Sequence, residues 1–169
     1  MSFLNPRRGG TALLLTLFAG CGQPSQTVVV QMVGTGSLPE GVGPARVTLE
    51  EIRVEVDVPG EGPRWQILLG DEVGGRTFDL GALRSGMLVG EADVPSGALR
   101  ALEITLDTDE PPEPGVLPVE GPTLLQLPLN APASDAPALQ LDWNLARCVV
   151  RDASGRAVLH LQPSVEVLR

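Results

Sequence analysis

Arg46-Val47-Thr48-Leu49-Glu50-Glu51-Ile52-Arg53-Val54-Glu55-Val56-Asp57-Val58 is the stretch that decides the fold. Val47 and Leu49 share one parity, while Ile52, Val54, Val56 and Val58 share the other. Side chains of a strand alternate between faces, so a one-residue slip would turn half the apolar set to water. An extra residue restores the phase, and the slip therefore predicts a β-bulge at Glu50-Glu51. A helix is a poor alternative for TLEEIRVEV, because the β-branched Val, Ile and Thr that dominate it lose χ1 freedom there.

The same grammar extends in both directions. Thr27 to Val33 is a β-branched, apolar run and reads as a strand. Gly34 to Pro44 is a Gly/Pro-rich loop between the two. Pro59-Gly60-Glu61-Gly62-Pro63 turns the chain into Trp65-Gln66-Ile67-Leu68-Leu69. Short extended pieces follow at Arg76 to Leu80 and Met87 to Val94, with Pro95-Ser96-Gly97 as a tight turn. Leu102, Ile104 and Leu106 alternate with Ala101, Glu103, Thr105 and Asp107, one inward face and one wet face. Late strands are expected over Ala138 to Leu145, Arg147 to Arg151 (or one bent strand across these two), Arg156 to Leu161 and Val165 to Leu168. The second and third are joined by an Asp152-Ala153-Ser154-Gly155 hairpin turn. Residues 107–137 stand apart, with eight of the sixteen Pro and an acidic bias. They read as surface loop around one strand, Thr123 to Leu129, which Pro128 confines to a sheet edge. Short strands at roughly ten-residue spacing, without helices, imply an all-β fold. The expectation is a single antiparallel β-sandwich with Greek-key order, immunoglobulin- or transthyretin-like. Trp65, Phe78 and Trp143 are expected inside it.

The N-terminus reads as an address. Arg7 and Arg8 precede the apolar Thr11 to Ala19. At roughly ten residues this core is too short to span a ~30 Å hydrocarbon layer. Leu17-Phe18-Ala19-Gly20-Cys21 resembles the lipobox of bacterial lipoproteins, although Phe18 replaces the usual Leu. The resemblance implies cleavage between Gly20 and Cys21 and lipidation of the Cys21 sulfur. Residues 1–20 are then a lipoprotein signal, 21–26 a short tether, and 27–169 the β-domain. Gly22, rather than Asp, after the Cys implies sorting to the outer membrane, with the periplasmic or surface face open. The alternative is a secreted domain in which Cys21 pairs with Cys148. Under lipidation Cys148 becomes a lone thiol, expected buried and inert.

Composition narrows the classes further. The net charge is −9, and it becomes more negative once Arg7 and Arg8 leave. All 12 basic residues are Arg. This balance excludes a nucleic-acid partner, which needs clustered cations. Two Cys cannot build a disulfide scaffold or a four-Cys zinc site.

The order of landmarks resembles a bacterial lipoprotein family known only as a domain of unknown function (number 4382). The landmarks are Ile52-Arg53-Val54, Trp65-Gln66-Ile67, Asp79-Leu80-Gly81-Ala82-Leu83 and Pro95-Ser96-Gly97, then Leu102-Glu103-Ile104, Leu141-Asp142-Trp143-Asn144 and Pro163-Ser164-Val165. The similarity runs over about 27–168. Two positions depart from it: Leu99 stands where the family has Tyr, and Asn144 where it has a second acid. The resemblance implies a β-sandwich and export, and no reaction.

Candidates for chemistry are few. His160, the one His, lies between Leu159 and Leu161 and is expected to face water. No serine has nucleophile-elbow spacing, and Ser85 and Ser96 sit in Gly turns. Asp79 and Asp142 match the family's acids; each is a candidate for a metal or acid–base pair, or for capping backbone N–H groups. Asp107, Asp109 and Glu110, with Glu113 beyond them, are candidate Ca²⁺ ligands, but the stretch lacks EF-hand spacing, and Pro111 and Pro112 stiffen it. No cofactor is called for. The reading is a non-catalytic binding or assembly module, held on the membrane through Cys21, with a protein or glycan partner. A carboxylate-based or metal-dependent hydrolase and a carbohydrate-binding domain are the alternatives, and the Pro-rich loop 107–137 is the expected contact element.

Overall fold

The computed structural model describes residues 24–69, 75–108, 113–132 and 137–168. The lipobox, with Gly20 and Cys21, and the candidates Asp109 and Glu110 lie outside these residues.

The described residues are mostly strand: β1 (Ser25–Thr35), β2 (Arg46–Val58), β3 (Gly62–Leu69), β4 (Arg76–Asp79), β5 (Met87–Pro95), β6 (Ala98–Asp107), β7 (Val119–Glu120), β8 (Leu124–Ala131), β9 (Ala138–Asn144), β10 (Val149–Arg151), β11 (Ala157–His160) and β12 (Ser164–Leu168). One sheet has the order β12-β9-β1-β5, and a second has β3-β2-β6-β8 with β4 also on β2. A small third sheet has the order β10-β11-β7. The all-β expectation holds. Pairing is not uniformly antiparallel, however, because β1 runs parallel to β9 and β11 parallel to β7.

β2 behaves as its pattern requires. Its register with β6 shifts between Leu49 and Glu51, and Val47, Leu49, Ile52, Val54, Val56 and Val58 are all buried. The bulge lets one strand serve two partners along the same edge, with β4 on Arg46 to Leu49 and β3 on Ile52 to Val58. β8 forms the far edge, its Pro128 opposite Ala101, as a strand lacking that N–H must. The inward residues of the two larger sheets belong to one apolar core centred on Trp143, Met32, Ile52, Leu102 and Leu141. β3 lies beside β5, and β8 beside β12. The first approach is close enough that a Cβ on Gly90 would stand 3.3 Å from the Leu68 carbonyl.

Strand directions give the molecule two ends. The turn end holds the start of β1, the β2–β3 turn at 59–61 and the β5–β6 turn at 96–97. There Ser96 donates its N–H to the Pro24 carbonyl at 2.8 Å, and Gln26 Nε2 donates to the Gly97 carbonyl at 2.9 Å. The loop end holds the 36–45 connection, a 3-10 turn at Leu80–Ala82, the 113–123 strap and the third sheet.

Four expectations are corrected. Trp65 lies on the outer face of β3, only partly buried, because it shares parity with Ile67, which is 55% exposed. The Arg53 guanidinium covers its ring, 5.5 Å from the centroid. Second, the wet face of β6 is not wet throughout. Glu103 is buried beneath Arg53, which donates through Nε at 2.9 Å and also through a terminal nitrogen. That hydrogen bond raises the Arg53 pKa further above its ordinary value. Third, the segment from Leu145 to Cys148 is a single α-turn between β9 and β10 rather than strand. Fourth, the Pro-rich stretch holds, besides the expected strand (β8), a second short strand, β7, where only loop was expected.

Candidate functional site

At the loop end, three strands align one row of outward side chains. Thr48 pairs with Thr77 on one side and Asp107 on the other, and the two threonine hydroxyls meet at 2.8 Å. Arg46 lies two residues back on the same face of β2. β2 offers polar groups here because its inward parity is filled by Val47 and Leu49.

The 113–123 strap walls this floor. Glu113 accepts from Arg46 at 2.6 Å. Leu117 is buried in the core, and its N–H donates to the Pro44 carbonyl at 3.0 Å. Pro118 and Glu120 accept from the Leu159 and Leu161 N–H groups at 2.8 and 3.2 Å. The strap also presses on the 36–45 loop so tightly that a Cβ on Gly43 would lie 1.7 Å from the Gly115 carbonyl oxygen. Floor and strap enclose a cleft of about 160 Å³, lined by Arg46, Thr48, Thr77, Asp107, Thr108, Glu113 and 116–119. A larger, more open groove of about 350 Å³ lies on the other side of 116–118, bounded by 40–43, Arg151 and 155–157. The cleft offers a cation, hydroxyls and carboxylates on an apolar back wall, a lining suited to hydrogen-bonding a polar ligand.

The residues singled out from sequence are dispersed. Asp79 accepts from the Gly81 N–H at 3.0 Å and caps the 3-10 turn. Asp142, on β9 in the other large sheet, accepts from the Thr35 hydroxyl at 2.7 Å. His160 is half-buried on β11, paired with Glu120 of β7. These three therefore stand on three different sheets. Among the described residues no group of three or more His, Cys, Asp or Glu is placed to hold a metal ion. Of the acidic candidates among the described residues, Asp107 and Glu113 line the cleft. Arg46, Thr48 and Thr77 were not singled out, since isolated Thr and Arg on a strand carry no motif. The alternate placing of Arg46 and Thr48 outside Val47 and Leu49 is the only local signal.

Two further groups bear on the electrostatics. Cys148 is a free, buried thiol whose S–H points to the Gln162 carbonyl at 3.6 Å, and burial pushes its pKa up. Asp152 organises the β10–β11 hairpin. It accepts from the Ser154 hydroxyl at 2.6 Å, the Ser154 N–H at 2.8 Å and the Arg156 N–H at 3.0 Å. These bonds, the Ser154 hydroxyl first, hold its pKa below the ordinary value.

No protein-family model, curated protein or solved structure matches this chain.

Proposed function

We propose that the protein is a lipid-anchored module of the bacterial outer membrane, attached through Cys21, that binds a partner rather than catalysing a reaction. In this reading the two large sheets pack as one sandwich of immunoglobulin or transthyretin type, and their shared core supports that packing. The lipoprotein family with a domain of unknown function is its proposed kin, on the ordered landmarks from Ile52 to Val165. The observation that carries the binding role is the loop-end cleft, a preformed polar recess braced by a strap with backbone hydrogen bonds to two neighbouring segments. Sheet-based modules present ligands at their loops, and this recess is built in that way.

Intact mass of the membrane-extracted protein, beside Cys21→Ala, tests the address. A chain starting at Cys21 with added acyl mass supports it, and a soluble chain with a Cys21–Cys148 disulfide sinks it. A photo-crosslinking side chain at Thr77 tests the cleft, with one at exposed Glu166 as control. Adducts of discrete mass from position 77, lost on Arg46→Glu, are expected. Equal labelling from both positions would remove the cleft as the binding site.

A second reading, glycan binding, is favoured by the outward placement of Trp65. Its ring lies on a sheet face beside Arg53, with Glu55 paired opposite it. Trp143 is fully buried, so a saccharide-induced change in tryptophan fluorescence would report Trp65. Loss of that change in Trp65→Phe would support this reading, and no change with any envelope saccharide would end it.

A further inference from the structure

We infer that the turn end of the molecule is a membrane-contact surface that seats on lipid headgroups and aims the cleft away from the bilayer. The inference rests on the proposed acylation of Cys21 and adds an orientation to it.

Length decides which end faces the lipid. β1 begins at Ser25, inside the segment expected to be tether, and Pro24 is already hydrogen-bonded to the β5–β6 turn. Three Cα–Cα steps separate Cys21 from Pro24, a reach of at most about 11 Å. The 11 residues of β1 then run about 35 Å to the loop end. A tether of that reach cannot bring the loop end to the headgroups.

Charge decides between standing and lying down. An acidic protein is repelled by anionic headgroups, but only charges within about one Debye length, ~8 Å at physiological salt, contribute strongly. Among the described residues of the turn-end rim, two acids are ion-paired and a third is hydrogen-bonded to a hydroxyl. Asp57 is paired with Arg100 at 2.6 Å and Glu61 with Arg64 at 2.8 Å, while Asp93 accepts from Thr27 at 2.7 Å. The sheet faces differ: Glu50, Glu91 and Glu166 are exposed there. Lying on a side would press these carboxylates against the headgroups, whereas standing on the turn end presents two neutralised pairs and the single charge of Asp93.

The test uses the acylated full chain in vesicles of phosphatidylethanolamine and phosphatidylglycerol carrying a nitroxide lipid quencher. Intact mass first establishes the acylation, so a failure of anchoring is read separately from a failure of orientation. A fluorophore is attached through Ser96→Cys at the turn end, or Ala153→Cys at the loop end. Buried Cys148 leaves the introduced thiol as the reactive one. The probe at position 96 is expected to be quenched and the probe at 153 to match a water-exposed control. Arg64→Glu with Arg100→Glu should lower quenching at position 96 by about twofold on the anionic vesicles and leave it unchanged on phosphatidylcholine. Equal quenching at both positions, or stronger quenching at 153, in an acylated protein would overturn the inference. So would indifference of position 96 to the charge reversal.

Discussion

Two tryptophans on one chain play opposite parts. Trp143 is fully buried at the centre of the core, and its indole N–H has no partner among the described residues. Trp143→Ala should cost about 3–5 kcal/mol in chemical denaturation. Trp143→Phe should cost clearly less, because it keeps much of the apolar body and removes an unpaired buried donor. Trp65 sits half outside under Arg53, so Trp65→Ala should cost only about 1–2 kcal/mol, from partial burial and the cation–π contact. Equal losses at the two positions would mean that the placement of Trp65 is wrong. Sequence alone expected both rings inside. Trp65-Gln66-Ile67-Leu68-Leu69 has no clean alternation, so nothing local distinguishes its inner from its outer parity. Asp152 supplies a test by pH. A carboxylate whose folded pKa lies below its unfolded value adds stability that is complete above the ordinary 3.8. That contribution disappears as pH falls through the lower folded pKa. The β10–β11 hairpin should therefore hold at neutral pH and loosen only in acid. An NMR titration of Asp152 is expected to give a midpoint below 3.8, and a midpoint at or above it would contradict the hydrogen-bond network.

At the scale of elements, the strap is the part most exposed to a single change. Gly43→Ala places a methyl group against the Gly115 carbonyl, where only backbone movement can relieve the clash. It should displace the strap, speed amide exchange at Leu117 and Leu159, and weaken any ligand held by the cleft. Gly41→Ala next door meets no neighbouring atom and costs only the strain of its positive φ, of order 1 kcal/mol. Matched exchange rates in the two variants would show that the strap is not braced there. The elements also show where sequence speaks and where it is silent. The bulge in β2 was legible because burying both halves of an out-of-phase strand requires one. The edge position of β8 was legible because Pro128 removes an N–H. β7 was not, because two residues between Pro118 and Gly121 leave no periodicity to read. The α-turn at Leu145–Cys148 was not, because one turn places only Leu145 and Cys148 inward and mimics the end of a strand. The cleft was not legible either. Its floor comes from β2, β4 and β6 and its wall from the strap, so only the fold assembles it.

For the whole molecule, the decisive feature is the central place of β1. Its neighbours are β5 on one side and β9 on the other, and its parallel register with β9 runs from Val29 opposite Ala138 to Thr35 opposite Asn144. Removal of residues 138–168 should therefore leave the rest without a cooperative unfolding transition, although most strands remain in the chain. A sharp two-state melt of that fragment would show that β1 does not need β9. The parallel pairing also sets a schedule. Contacts across more than a hundred residues form late and slow folding, since the loop must close before they contribute. If export delivers the chain N-terminus first, β1 emerges long before β9. A lipidated N-terminus would then hold a β-branched strand with one edge still unpaired at the bilayer surface until β9 has crossed. Its Val-rich edge is an open template during that interval, and a holdase that masks such edges would shield it from misassembly.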